Sequence, residues 1–324
     1  MASFAKATFD VGSYLASRPT YPKKVYDVIL AHHRSRGGRF DHLVDLGCGP
    51  GFVALSLSPH FRHTTALDPS KKMVEVGLQP SDPTLPRIQY KVGTAEKLIE
   101  EGVKEADLVV AGQAAHWFDH QKTWTQLSKV VRPGGTVAYI GYAEPVFPTH
   151  PQLDHIYHHF SSQIIGPYWS QPGRSIVENL LNAVPFPITP IVTDPPLRYD
   201  LEEGGMSPVR ITEPPTPNLE ENNWDPTTAI RLRHTTERPW LMKRSMTLDQ
   251  FEGYLRSNSA VHEYRHAHPD EKTVAEGGDG DVVDRVMVDI RKGLEGVGVG
   301  DKENGQEEFE VGWPLVVMMI KKKE

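Results

Sequence analysis

A chain of 324 residues with 38% apolar content can bury a full hydrophobic core, and one elaborated domain over residues 1–324 is the simplest organisation. Its 35 Lys and Arg stand against 42 Asp and Glu, a formal net charge of -7, so no overall basic field exists to hold nucleic acid. The opening MASFAKATFD lacks the apolar centre of a signal peptide, no apolar run is long enough to span a bilayer, and the single cysteine, Cys48, cannot form an internal disulfide. These features lead us to expect a cytoplasmic protein with no nucleic-acid and no membrane partner; oligomeric state is not readable.

Residues 1–39 read as an amino-terminal helical arm, apolar at Tyr14, Leu15, Val25, Ile29 and Leu30 and interrupted by Pro19 and Pro22. A strand through Leu43-Val44-Asp45-Leu46 then runs into Gly47-Cys48-Gly49-Pro50-Gly51 and a helix from Phe52. A strand that breaks sharply into a helix needs positive φ and close backbone approach, which glycine supplies at little cost. A dinucleotide fingerprint would read G-x-G-x-x-G, but here the third glycine comes one residue early and Phe52 stands in its place. Asp45 would repel a pyrophosphate and suits a cationic amino group. Both features disfavour a dehydrogenase.

Further strands are expected at Thr64–Leu67, ending in Asp68-Pro69-Ser70 with Ser70 as cap for a helix from Lys71; at Ile88–Val92, ending in Gly93-Thr94-Ala95-Glu96; and at Asp107–Ala111. A helix from Asp119 to Val131, a turn at Arg132-Pro133-Gly134-Gly135 and a fifth strand at Thr136–Gly141 follow. Strands alternating with helices predict an α/β fold with a doubly wound, mostly parallel sheet. Residues 145–246 are proline-rich and irregular, with helical stretches near Leu153–Ile164 and Ser175–Val184, and read as an inserted substrate cap over the carboxyl edge of the sheet. Helices at Thr247–Arg256 and Asp281–Leu294 and one apolar edge strand at Phe309–Lys321 complete the chain, with Lys321-Lys322-Lys323 as a solvated tail.

The order Gly47-Cys48-Gly49-Pro50-Gly51, then Asp68, then Thr94-Ala95-Glu96, each at the end of a successive strand, resembles the class I S-adenosylmethionine-dependent methyltransferases over residues 40–141. Tyr14-Leu15-Ala16-Ser17-Arg18-Pro19-Thr20-Tyr21-Pro22, Gln113-Ala114-Ala115-His116-Trp117-Phe118-Asp119 and Trp313-Pro314 are similar to the branch that includes fungal trans-aconitate methyltransferase. The resemblance implies a Rossmann-like seven-stranded sheet with an antiparallel edge strand, S-adenosylmethionine as cofactor and S-adenosylhomocysteine as product. It also implies cofactor contacts from Tyr14, Arg18, Asp45, Gly47, Gly49, Gly51, Asp68, Thr94, Ala95, Glu96 and Gln113. Asp68 would accept from the ribose hydroxyls, Ala95 and Glu96 would lie against adenine, Asp45 would pair with the ammonium of the methionine moiety, and Arg18 would bind its carboxylate. Other roles stay open: a helix cap for Asp68, a solvated helix position for Glu96, and a surface ion pair for Arg18.

His116-Trp117 follows the fourth strand, where the resemblance places it beside the transferred methyl group, as the catalytic and substrate-binding pair. An indole N–H only donates and an imidazole can donate from one nitrogen, so the two can hold a carboxylate without removing its charge. A carboxylic acid is already ionised at neutral pH and needs no base, which favours O-methylation of a small acid such as a di- or tricarboxylate. If the acceptor is a phenol, amine or carbon, His116 can serve as base. Trp117 also reads as a core aromatic, and His116 as a structural hydrogen-bonding residue. Trp240 joins the candidate substrate contacts, and the stretch 145–246 offers Arg174, Arg231, Arg233, Arg238 and Arg244 without singling one out. A cofactor-binding protein that acts through a partner instead of by catalysis is the alternative of another class. His150, His155, His158 and His159 lack an accompanying HExxH-type group, so no metal is expected.

Overall fold

The computed structural model describes residues 17–191, 206–208, 223–235, 239–295 and 308–324. In chain order its strands are β1 (His42–Leu46), β2 (His63–Asp68), β3 (Ile88–Val92), β4 (Ala106–Gly112), β5 (Val131–Tyr142), β6 (Met206–Pro208), β7 (Trp224–His234), β8 (Lys243–Thr247), β9 (Glu308–Gly312) and β10 (Leu315–Lys322). The chain divides into two compact units. One contains Thr20–Ala143, Ser175–Leu241 and Pro314–Glu324; the other contains Met1–Pro19, Glu144–Arg174 and Met242–Trp313.

The first unit is built on an eight-stranded sheet of order β3-β2-β1-β4-β5-β10-β7-β6. The strands from β3 to β5 are all parallel, and β10, β7 and β6 add antiparallel pairings at one side. The chain winds outward from β1 to β3 and then returns to place β4 on the other flank of β1, so β1 and β4 flank the point where the winding reverses. Open α/β sheets bind ligands outside the carboxyl ends of the strands at such a point. Helices α1 (Lys23–Arg34), α2 (Phe52–Leu57), α3 (Lys71–Glu75) and α4 (His120–Val130) belong to this unit. The apolar core on one face joins Trp124 and Leu127 of α4 to Tyr139, Trp224, Val316 and Met318 of the strands. Asp119 caps α4, its side chain accepting from the Lys122 amide.

Four expectations change here. The stretch Phe309–Lys321 is two strands, not one at the edge. The Trp313-Pro314 break ends β9, and β10, buried from Leu315 to Lys321, lies inside the sheet with β5 on one side and β7 on the other. β7 comes from the stretch read as irregular; its Thr227-Thr228-Ala229-Ile230-Arg231-Leu232-Arg233 run is a β-former masked by neighbouring prolines. Of the terminal lysines Lys323 is exposed as expected, but Lys321 and Lys322 turn inward. Lys321 is buried and donates from Nζ to the His33 carbonyl at 2.7 Å, and Lys322 donates to the carbonyls of Ser128 and Val131. The Arg132–Gly135 segment belongs to β5, not to a separate turn.

The second unit pairs β8 with β9 and carries α5 (Gln152–His158), α6 (Leu248–Arg256), α7 (Ser259–Ala267) and α8 (Val282–Leu294). Phe147, Tyr157, Phe251 and Phe309 form its aromatic centre. Arg256 bonds Glu252, Asp281 and Asp284 at 2.7–2.8 Å, tying α6 to the amino end of α8. Residues 145–246, expected as one inserted segment, are thus shared: 145–174 and 242–246 fall in this unit, and 175–241 in the sheet unit. No helix among the described residues is long and apolar enough to cross a membrane.

Candidate active site

β1 ends in the turn that the glycine spacing anticipates. Gly47, Gly49 and Gly51 have φ of 61°, 53° and 97°, and Gly51 stands in the left-handed conformation as the residue before α2. The two outer glycines are also required by space. A Cβ on Gly47 would lie 2.5 Å from the Ala114 Cβ, and one on Gly51 would lie 2.0 Å from the Tyr90 hydroxyl, whereas at Gly49 nothing stands within 4 Å. The backbone at Gly49 is therefore the part of the turn open to close approach. Cys48 is buried and burial raises its thiol, so it packs in the turn without thiolate character.

Asp45, at the end of β1, is completely buried. Its Oδ2 accepts from the Ala54 amide of α2 at 2.9 Å, while Oδ1 has no hydrogen-bond partner among the described residues. Burial pushes the carboxyl up to about 8, against the pull of the Ala54 amide. A buried carboxylate oxygen without a donor fits a cationic ammonium, directly or through water. Asp68, at the end of β2, accepts from the Gly49 amide on Oδ2 and from the Ser70 amide on Oδ1, both at 2.8 Å. Each oxygen keeps a second acceptor direction, enough for two ribose hydroxyls. Ser70 precedes α3 as expected, but its side chain makes no capping bond; its amide serves Asp68 instead.

Beyond β3, Thr94 leads into a single 3-10 turn at Ala95–Lys97. Ala95 is buried, and Glu96 accepts from the Asp119 amide at 3.0 Å, linking this loop to the start of α4. Beyond β4, Gln113 adopts a positive φ of 51° and its side-chain amide pairs with the backbone of Tyr142 through bonds of 2.9 and 3.3 Å. In this structure Gln113 thus aligns the ends of β4 and β5. His116 and Trp117 lie on the next 3-10 turn with ring centroids 4.8 Å apart; His116 is half-buried and Trp117 is 40% exposed. The indole is therefore no core aromatic.

The turn, Asp45, Asp68, Thr94-Ala95-Glu96, Gln113 and His116-Trp117 all belong to the sheet unit and stand at the carboxyl ends of β1 to β4. Arg18 belongs to the other unit, where it donates to the Ser257 carbonyl at 3.1 Å and lies over the Tyr254 ring. Trp240 is stacked on His234 at 3.9 Å. Tyr14 and Arg238 lie outside the described residues. Among the described residues, no group of three or more His, Cys, Asp or Glu is placed to hold a metal ion.

Sequence reading gives no role to three aromatic residues here. Tyr90 donates to the Leu78 carbonyl at 2.7 Å and packs against Gly51 and Gly77, supporting the turn from beneath. Tyr21 packs edge-on to Tyr142 and against the end of β4 at Gly112, and Phe118 lies against both Gly47 and Tyr139. Tyr21 and Phe118 lie within the stretches 14–22 and 113–119 that carry the resemblance, without a role of their own; Tyr90 reads as an ordinary strand residue.

Comparison with known proteins agrees with this layout. The family described as the methyltransferase domain matches residues 44–139. The chain is 25% identical over 279 residues to the probable S-adenosylmethionine-dependent methyltransferase CRG1 of Saccharomyces cerevisiae, covering 85% of this chain and 87% of that one. It is 29% identical over 191 residues to methyltransferase cfoB of Aspergillus candidus, covering 54% and 59%. A solved protein of Anaeromyxobacter dehalogenans, provisionally described as a type II methyltransferase, shares the fold with a TM-score of 0.60 at 20% identity, covering 93% of this chain and 97% of that one. Residues 44–139 thus match a methyltransferase domain, and over most of its length the chain resembles a protein described as a probable S-adenosylmethionine-dependent methyltransferase.

Proposed function

We propose that the enzyme methylates a carboxylate oxygen of a small-molecule acid, a di- or tricarboxylate of the trans-aconitate kind or a related metabolite, to give the methyl ester. The observation that carries this reading is His116-Trp117: a 40% exposed indole braced by an imidazole, just past the carboxyl end of β4. A large aromatic left this exposed at the reactive edge of the sheet offers a donor to an incoming anion, and its N–H makes no hydrogen bond among the described residues.

S-adenosylmethionine supplies an electrophilic methyl group on a sulfonium. The residues fitted to hold it are the open backbone at Gly49, the unpartnered oxygen of Asp45 for the ammonium, Asp68 for the ribose, and the loop Thr94-Ala95-Glu96 for adenine. Arg18 as ligand for the cofactor carboxylate rests on the sequence resemblance. On the acceptor side, Trp117 and His116 orient the carboxylate by donating to one oxygen, leaving the other to attack. No proton needs removing from an acid that is ionised at neutral pH. The protein's work is then alignment and exclusion of water, and positioning of this kind can supply about 7–11 kcal/mol.

The test is incubation of the full chain with methyl-labelled S-adenosylmethionine and a panel of acids, phenols and amines. A carboxyl ester releases labelled methanol in mild alkali, whereas aryl ethers and methylamines keep their label. Alkali-labile label on an acid is the expected result. Stable label on a phenol or amine instead favours His116 as a base and overturns the ester reading. Trp117→Phe is expected to lower kcat/KM for the acid by about 10–100-fold, the worth of a hydrogen bond to a charged group.

A further inference from the structure

The opposite end of the sheet carries a feature that methyl transfer does not use. Val44, Thr65 and Gln89 stand in register across β1, β2 and β3, as do Leu46, Leu67 and Lys91 one pleat further on. Side chains alternate along a strand, so Thr65, Gln89 and Lys91 share one face, while Tyr90 turns to the other to meet Gly51. A doubly wound sheet ordinarily covers such a face with a crossover helix. Between β3 and β4 this chain has only the 3-10 turn Ala95–Lys97, and a groove of about 620 Å³ is left at the amino ends of the strands. That is within the range of small-molecule sites, about 300–1,000 Å³.

Charge decides what the groove suits. Its lining includes the cations Arg62, Arg87, Lys91, Lys104 and Arg132 and the carboxylates Asp41 and Glu105. Both carboxylates are engaged on one side, Asp41 by Arg39, Arg62 and Arg132 and Glu105 by Arg132. On the other side Arg87, Lys91 and Lys104 have no carboxylate within ion-pair distance among the described residues; the contact of Lys91 is a 3.5 Å bond to the Glu101 carbonyl. His42 and His63 add imidazoles to the same wall. Three cations lining one concavity with no ion-pair partner among the described residues, on a chain of net charge -7, are not a by-product of overall basicity.

We propose that this groove binds a small polyanion with two or more phosphate-type charge centres, at a site separate from that of methyl transfer. Arg87, just before β3, offers a planar fork to one anionic group, and Lys91, four residues on and about 13 Å further along the strand, offers a point charge on a long flexible side chain. Lys104 adds a third cation to the same lining. The groove lies at the amino ends of strands whose carboxyl ends carry Asp45, Asp68 and Thr94, so one ligand of this size does not fill both places.

Isothermal titration of the full chain with sodium tripolyphosphate at low salt tests this, with orthophosphate as the single-centre comparison and S-adenosylhomocysteine titrated separately. The expected result is one tripolyphosphate per chain, bound at least tenfold more tightly than orthophosphate. The triple variant Arg87→Gln, Lys91→Gln, Lys104→Gln should lose at least tenfold of that affinity yet bind S-adenosylhomocysteine within twofold of the unaltered chain. Absence of saturable heat, equal affinity for orthophosphate, unchanged affinity in the triple variant, or competition with S-adenosylhomocysteine would each overturn the proposal. The S-adenosylhomocysteine arm reports on the cofactor site independently, so failure of one reading is distinguishable from failure of the other.

Discussion

At Asp45 the chain holds a fully buried carboxyl group with one donor on Oδ2 and, among the described residues, none on Oδ1. Burial lifts it to about 8, above its value in the unfolded chain, so its contribution to stability is full at low pH and is lost as pH rises through the folded value. A bound ammonium reverses the preference and favours the carboxylate. Binding then releases a proton, and affinity for S-adenosylhomocysteine is expected to rise from pH 6 towards 8, by at most about tenfold per unit. Asp45→Asn should bind more weakly and flatten the profile; a flat profile in the unaltered protein would dissociate Asp45 from the ammonium. Gly51 gives a second residue-scale expectation. Its φ of 97° and the 2.0 Å approach of the Tyr90 hydroxyl to any Cβ mean that Gly51→Ala must shift the turn, costing about 1–3 kcal/mol of stability and at least tenfold in cofactor affinity. Gly37→Ala, at φ 69° with open space around it, is the control: calorimetric affinity should stay unchanged. The turn at the three glycines was legible from their spacing, and its positive φ values follow from it. Tyr90 was not, because an aromatic residue in a strand is the common case whatever lies beneath it.

Among the elements, helix α8 shows what a cap is worth when other charges converge on it. Asp281 accepts from the amides of Val283 and Asp284 and also takes Arg256 at 2.8 Å, with its carboxylate fully buried. Asp281→Ala removes a cap and strips a partner from a half-enclosed guanidinium, and is expected to lower unfolding free energy by about 2–4 kcal/mol in urea titrations. Asp119→Ala, at the exposed cap of α4, should cost only about 1 kcal/mol. A result in which the two variants lose equally would show that the Arg256 network adds nothing to the cap. Helices α6 and α8 were legible from these same polar starts, Thr247 and Asp281, followed by an apolar face. The strands beyond β5 were harder. A continuous apolar run such as Leu315–Ile320 says that a strand is buried on both faces, but not which strands border it. That is decided by β7, which supplies hydrogen bonds along the outer side of β10.

For the molecule as a whole, the chain leaves the sheet unit after Ala143, rejoins it at Ser175, leaves after Leu241 and returns at Pro314. Local composition does not encode such returns, since each depends on long-range packing, and proline density only marks where regular periodicity stops. The glycine turn and the loops beside it are different in kind, because Asp45, Gly47–Gly51, Asp68 and Thr94–Glu96 all come from one continuous stretch inside the sheet unit. A ligand held there stabilises the folded state by mass action: at 100 times its Kd, S-adenosylhomocysteine should add about 2.7 kcal/mol. For a unit of about 150–250 residues that corresponds to a rise of about 5–10 °C in Tm. If heating resolves two transitions, the shift belongs to the one in which the sheet is lost. NADH at the same concentration should leave both unmoved, because its pyrophosphate would meet Asp45 and a turn that has Phe52 where a dinucleotide fold places a small residue. Differential scanning calorimetry with each ligand decides the matter: a rise with NADH and none with S-adenosylhomocysteine would mean that the turn after β1 cradles a dinucleotide, and the assignments of Asp45 and Asp68 would fall with it.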